Sequence, residues 1–190
     1  MVDLFRDELV NLVSHLGLKE LPIDVYRQFW GGMLAAVWAA TPSGSANLRR
    51  LVISNSQASM DAWRVRINKL RENGREVFDR AEEDKNFVSP ECEPAVRVSY
   101  ERHLSLARPW PPVEVTAALD WYGPSELYIS GSLRDWTSVP LLSKIPVPTL
   151  LINGAEGEAQ DVAMQPFFNH IQKMKWAKLD NAAHFSHVDQ

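Results

Sequence analysis

Few side chains in this sequence have the type and placement to do chemistry. His184 and His187 fall in Asn181-Ala-Ala-His-Phe-Ser-His, where an imidazole could serve as a general base or lie at the surface with nothing to activate. Ser54 and Ser56 close the apolar run Leu51-Val-Ile-Ser-Asn-Ser and are hydroxyls that a base could activate, although neither occupies a sharp strand-to-helix turn. Glu126 and Glu158 are glutamates, whose ordinary place is a solvated surface. Cys92 is the only cysteine, and Glu91 and Glu93 beside it oppose a thiolate, so it reads as an inert thiol. One cysteine makes no intramolecular disulfide and no multi-cysteine metal site, and neither a metal nor an organic cofactor is expected. Trp38, Trp63, Trp110, Trp121, Trp136 and Trp176 could line an apolar pocket for a small ring, but most read as packing residues, Trp38 on the buried helix and Trp176 at a strand start among them, with Trp110, in Arg108-Pro-Trp-Pro-Pro, the most exposed.

The elements that would position these groups alternate between helix and strand. Leu9, Leu12, Val13 and Leu16 share one helical face that stops at Gly17. Leu21-Pro-Ile-Asp-Val-Tyr is a strand with Tyr26 in the core, and Arg27-Gln-Phe-Trp-Gly-Gly is a tight turn into the buried helix Met33-Leu-Ala-Ala-Val-Trp-Ala-Ala. Thr41-Pro-Ser-Gly-Ser is a loop by composition, and Leu48-Arg-Arg-Leu-Val-Ile-Ser a second strand. From Ser59 to Ser138 the pattern is charged and helical, an inserted lobe; the α/β signal resumes with the strand Pro148-Thr-Leu-Leu-Ile-Asn, a helix from Ala163 to Lys173, and the strand Trp176-Ala-Lys-Leu. The expected architecture is α/β with a parallel sheet, residues 1–58 and 139–190 forming the core and 59–138 a helical cap.

The chain has 190 residues, room for one domain with an insertion. Twenty Lys and Arg against 24 Asp and Glu give a formal charge of −4, without the positive excess that nucleic acid requires. The start, Met1-Val-Asp-Leu-Phe-Arg-Asp-Glu-Leu, is acidic where a signal peptide is basic, and no uninterrupted apolar run is long enough for a membrane span. A cytosolic location, with neither nucleic acid nor membrane as partner, is the expectation.

The turn Arg27-Gln-Phe-Trp-Gly-Gly resembles the nucleophile elbow of proline iminopeptidases and related amino-acid amidases, serine-type α/β-hydrolases whose elbow reads Gly-Gln-Ser-Trp-Gly-Gly. The resemblance runs over nearly the whole chain through Leu51-Val-Ile-Ser-Asn-Ser, Ala58-Ser-Met, Tyr122-Gly-Pro-Ser-Glu, Gly131-Ser-Leu-Arg-Asp-Trp, Val147-Pro-Thr-Leu-Leu-Ile-Asn-Gly and Ala183-His-Phe-Ser-His-Val. It implies release of an N-terminal residue, proline above all, or hydrolysis of an amino-acid amide through an acyl-serine. It also places the family's histidine on His184, one oxyanion amide on Trp30, and a substrate-amine pair on Glu126 and Glu158.

Two positions depart from that pattern. The family's serine falls on Phe29, whose ring has neither a proton to lose nor a lone pair to attack with, and its aspartate falls on Gly157, between Glu156 and Glu158. Compared with the family, the front of the hydrolase domain is also missing, with its first four strands and the His-Gly-Gly-Pro-Gly loop that supplies the other oxyanion amide; the chain further ends before the last family helix could form. The resulting expectation is a partial, degenerate α/β-hydrolase that no longer catalyses by the family's route. It would act in binding a small peptide or amino-acid amide with a free amine, or in forming a homo-oligomer through an exposed sheet edge. The alternative is an active aminopeptidase or amidase completed by an upstream part or by another nucleophile such as Ser54 or Ser56. Phe29 is expected to relax out of the strained elbow conformation, because Arg27 crowds it, or to fill the vacated pocket with its ring.

Overall fold

The computed structural model describes residues 2–84, 86, 89–122 and 133–190. Helix α1 (Val2–His15) turns Leu9, Val10 and Val13 toward the core. Gly17, at φ 69°, ends it: the Gly17 amide donates to Ser14 O and the Leu18 amide to Val13 O, the paired capping bonds that a left-handed glycine permits. Strand β1 (Ile23–Gln28) leads directly into α2 (Trp30–Ala39), whose Met33, Ala35, Ala36, Val37, Trp38 and Ala39 are all buried. The expected loop at Thr41–Ser45 is instead one helical turn, α3 (Pro42–Ser45), because Thr41 Oγ1 accepts the Gly44 amide and Pro42 already has helical φ at the first position.

Strand β2 (Leu48–Ser54) pairs in parallel with β1 on one side and with β3 (Thr149–Gly154) on the other. After α8 (Asp161–His170), β4 (Met174–Leu179) joins β3, giving a parallel sheet in the order β1-β2-β3-β4. On one face β2 and β3 place Leu51, Ile53 and Leu151 at 0% exposure against Trp38, Leu142, Met164 and Phe167, while Val52, Leu150 and Ile152 on the opposite face are half-buried. Fully burying each such side chain is worth about 1.5–3 kcal/mol. This is the parallel α/β sheet of a partial α/β-hydrolase.

β1 is the outer strand, and Tyr26, expected in the core, is 46% exposed. Side chains alternate along a strand, and Ile23 and Val25 take the core side, leaving Asp24 and Tyr26 outward. The Arg27 guanidinium donates to Tyr26 O at 2.9 Å, and Asp24 pairs with Arg49 across to β2 at 2.5 Å. A charged, self-capped edge of this kind blunts strand addition.

Between β2 and β3 lie the helices α4 (Met60–Leu70), α5 (Arg75–Asp84), α6 (Glu93–His103) and α7 (Val113–Tyr122). Their own core holds Phe78, Ala81, Cys92, Tyr100, Leu104 and Val115, with Trp110 half-buried against it rather than exposed. An antiparallel bridge between Ser59 and Thr137 closes the base of this lobe, and the Ser138 amide donates to Ala58 O. The chain ends in the single turn α9 (Ser186–Asp189), where no further helix was expected.

One glycine decides how the C-terminal loop closes. A Cβ on Gly154 would sit 2.3 Å from both Ala182 O and Ala183 O, backbone atoms that cannot rotate away, whereas one on Gly157 would sit 3.1 Å from Ala183 C. Overpacking of this order costs about 1–3 kcal/mol or more. Gly154→Ala is therefore expected to lower stability by about 3 kcal/mol and Gly157→Ala by about 1 kcal/mol, as read from urea unfolding midpoints at constant slope; equal losses would contradict the account.

Candidate functional site

The turn between β1 and α2 keeps the geometry of a strained elbow. Phe29 has φ 48° and ψ −121°, a region that costs a non-glycine residue on the order of 1–3 kcal/mol. Four hydrogen bonds hold it there. Its amide donates to Ser54 O at 3.1 Å, and its carbonyl accepts from the Gly32 amide at 3.0 Å, the Met33 amide at 3.3 Å and Ser56 Oγ at 2.7 Å. Gly32 must be glycine, since a Cβ would meet Ser56 Cβ and Oγ at 2.7 Å. Phe29 thus does not relax. Arg27 does not crowd it either: the Arg27 side chain is exposed and lies over Gly31, where a Cβ would be 3.2 Å from its Cδ.

The Phe29 ring is half-buried between Trp63, at 5.6 Å between ring centroids, and His184, at 5.0 Å and nearly perpendicular. Met33, Met60, Trp30, Leu133 and Trp136 belong to the same apolar cluster. The Trp30 amide is the first of α2 and has no acceptor among the described residues, while its indole packs edge-on to Phe5 at 5.0 Å.

His184 is 6% exposed, so it is not a surface residue. Its backbone is fixed at both ends, the amide donating to His103 O at 3.0 Å and the carbonyl accepting from Gln28 Nε2 at 2.8 Å. Burial, with a smaller contribution from the nearby His187, lowers the His184 pKa to about 4, so the imidazole is neutral at physiological pH. Its Nδ1 is buried with no hydrogen-bond partner among the described residues. Gly157 lies against this loop, a Cβ there falling 3.2 Å from His184 N, but it carries no group to reach Nδ1.

Glu158 is 3% exposed, buried where a solvated surface charge was the ordinary reading, while Glu156 beside it is exposed. Glu126 lies outside the described residues. Ser54 and Ser56 are both buried and occupied, Ser54 Oγ accepting from Asn55 Nδ2 and Ser56 Oγ donating to Phe29 O. Ser56 is a brace for the elbow, and neither hydroxyl is presented for attack. Among the described residues no group of three or more His, Cys, Asp and Glu could hold a metal, and no helix is long and apolar enough to cross a membrane.

Three positioning residues escaped the sequence reading. Gln28 ties the elbow to His184. Asn55, at φ 43°, accepts the Gly154 amide and donates to Ser186 Oγ at 2.9 Å. Asp189 accepts the Ala183 amide at 2.7 Å through one oxygen, and Ser105 Oγ, Leu106 N and Ala107 N through the other. Gln28 and Asn55 stood inside motifs that could have pointed to them, whereas Asp189 lies outside any. Together they hold an elbow, a helix-start amide and a neutral imidazole, with a phenyl ring where a nucleophile would stand. The arrangement has no group at the elbow to form an acyl bond.

Two measurements test this geometry. Phe29→Gly should unfold about 1–3 kcal/mol later than Phe29→Ala, because both delete the ring and only glycine accepts the positive φ without strain; equal stabilities would mean that the elbow is unstrained. The depressed His184 pKa means that the unfolded chain binds more protons than the folded one between its ordinary value, near 6.5, and about 4. Stability is then full above the upper limit, falls as pH drops through this window by at most about 3 kcal/mol, and levels off below it. His184→Gln should flatten that slope in urea unfolding curves between pH 7 and pH 4.5; an unchanged slope would assign the loss to other groups.

No protein-family model matches the chain. The proline iminopeptidase of Lactobacillus crispatus (strain ST1) is 26% identical over 197 residues, 96% of this chain and 66% of that protein. The crystal structure of VinJ superposes at a TM-score of 0.89 with 32% identity, covering all of this chain and 68% of that one. The proline iminopeptidase of Mycobacterium smegmatis superposes at 0.83 with 29% identity, covering all of this chain and 67% of that one. The chain thus spans about two thirds of the length of the relatives it matches. A parallel sheet entering a strained elbow beneath a helical insertion, shared along the full chain with these proteins, places it: the chain belongs to the proline iminopeptidase group of the α/β-hydrolase superfamily.

Proposed function

We propose that this chain is a binding protein on a hydrolase scaffold, catalytically silent by the serine route, whose ligand is a short peptide or amino-acid amide with a free amine. One observation carries the reading: Phe29 occupies an intact elbow with its ring set against His184 at 5.0 Å. A neutral imidazole could accept a proton from a hydroxyl, and a benzyl group offers none. In a serine triad, removing the nucleophile alone costs roughly 10⁶ in rate, and further losses add little because the members act as a unit. Gly157, without a carboxylate to orient Nδ1, is therefore secondary to Phe29.

The ligand class follows from the carboxylates. Glu158 is buried beside the His184 loop, where a carboxylate facing an ammonium forms a charge-assisted hydrogen bond stronger than a neutral one. The resemblance pairs it with Glu126. The half-buried aromatic side chains Phe29 and Trp136 supply apolar contact for a small side chain such as a prolyl ring.

Prolyl and alanyl p-nitroanilides are expected to be released no faster than in buffer. Turnover abolished by His184→Ala would sink the proposal, because it would place chemistry at this site. Calorimetric titration with alaninamide is expected to show saturable binding that weakens about tenfold or more in Glu158→Gln, the loss of one charge-assisted hydrogen bond. Equal affinity in the two proteins would remove Glu158 from the ligand site.

A further inference from the structure

Away from the elbow, a second cavity lies in the helical lobe between the 3₁₀ turn Arg71–Gly74, α5 and α6, with a volume of about 100 Å³. One wall is apolar, formed by Phe78, Ala95 and Val98; the other presents Ser99, Arg102 and His103. Neither Arg102 nor Ser99 has an ion pair or side-chain hydrogen bond among the described residues. Next to His103 stands Arg66 on α4, whose Nε is buried with no hydrogen-bond partner among the described residues.

The electrostatics of this wall lean positive. Burial lowers the His103 pKa, and Arg66 and Arg102 lower it further, while the Glu156 carboxylate and the bond between His103 Nδ1 and Glu156 O oppose the shift. Burial also lowers the Arg66 pKa, and Glu156 is the carboxylate whose field reaches it. Glu156 forms no ion pair with either arginine. The Arg102 guanidinium without a paired carboxylate, beside the Ser99 hydroxyl and an apolar wall, defines a complement: a negative, planar acceptor on a short hydrocarbon stem.

We propose that this cavity binds a small monocarboxylate with a short apolar tail, its carboxylate on Arg102 and Ser99 and its tail against Phe78, Ala95 and Val98. The shared chemistry has two sources, a free short-chain acid and the C-terminal carboxylate of a peptide with an apolar last residue. The site is independent of the elbow, so failure of one reading leaves the other standing. It connects to the elbow through His103 O, which accepts the His184 amide, and through Phe185, whose ring packs against the lobe core and lies 5.5 Å from the His184 ring.

The test is amide chemical-shift titration of the full chain with butyrate, butyramide and N-acetylvaline. Butyrate is expected to move the Ala95–His103 amides saturably, with a dissociation constant on the order of 1 mM, and butyramide to bind about tenfold more weakly or not at all. Arg102 is exposed in the last turn of α6, and Arg102→Gln should weaken butyrate about tenfold while leaving the melting temperature in place. Should that variant misfold, Val98→Glu puts a repelling charge on a residue that is 47% exposed and should abolish butyrate binding instead. Tighter binding of N-acetylvaline than of butyrate would identify a peptide C-terminus as the source, and the reverse order a free acid; either order supports the site. Equal binding of butyrate and butyramide, or butyrate shifts that survive both substitutions, would overturn it.

Discussion

The backbone conformation of Phe29 is the constraint on which the rest of the site depends. A residue at φ 48° and ψ −121° turns a strand into a helix within one peptide, so that β1 and α2 meet with no intervening loop. That turn aims the side chain away from the strand and toward the cleft beneath the helical lobe, where it meets Trp63 and His184. The strain is carried by neighbours rather than by the residue itself. Ser54 and Ser56 on the next strand supply an acceptor and a donor, and Gly32 leaves room for Ser56 to reach.

The opposite wall is held from three directions at once. Asn55 joins the ends of β2 and β3 to α9, Asp189 in α9 joins the His184 loop to the segment after α6, and Gln28 joins that loop to the elbow. Each bond alone contributes about 0.5–1.5 kcal/mol, those to the Asp189 carboxylate somewhat more. Their joint effect is geometric: they shut water away from the His184 ring, and desolvation is the main cause of its lowered pKa. A histidine that would titrate near neutrality in solvent is thereby held neutral.

Much of this fold was legible in the residues, and the reasons divide cleanly. The strands β2 and β3 and the helix α2 stood out as apolar runs, whose Leu51, Ile53, Leu151 and α2 side chains form the core, and the elbow was visible as Gly31-Gly32 between a strand and a helix. Tyr26 was misjudged because an aromatic residue in a strand reads as core only when its own face is covered, and Tyr26 points to the face opposite Ile23 and Val25, which take the core side. The burial of His184 was not legible, because its loop is held by contacts with His103, Gln28 and Asp189 that no local pattern announces. Thr41-Pro-Ser-Gly-Ser has loop composition and forms a helical turn, since Ser, Thr and Pro are also the residues that begin helices.

Why an elbow should persist without a nucleophile is an energetic question with an answer on the same scale as the strain. Holding Phe29 at positive φ costs on the order of 1–3 kcal/mol. A half-buried phenyl ring recovers part of the roughly 1.5–3 kcal/mol that full burial would contribute, and ring contacts of the kind it makes with Trp63 and His184 add about 0.5–1.5 kcal/mol each. The two sides are comparable, so the ring can offset the strain that a serine would need its neighbours to bear alone. The substitution that removed the hydroxyl also supplied the packing that keeps the turn in place. Strain and packing are thereby balanced at one residue, and the elbow keeps its shape with no hydroxyl at position 29.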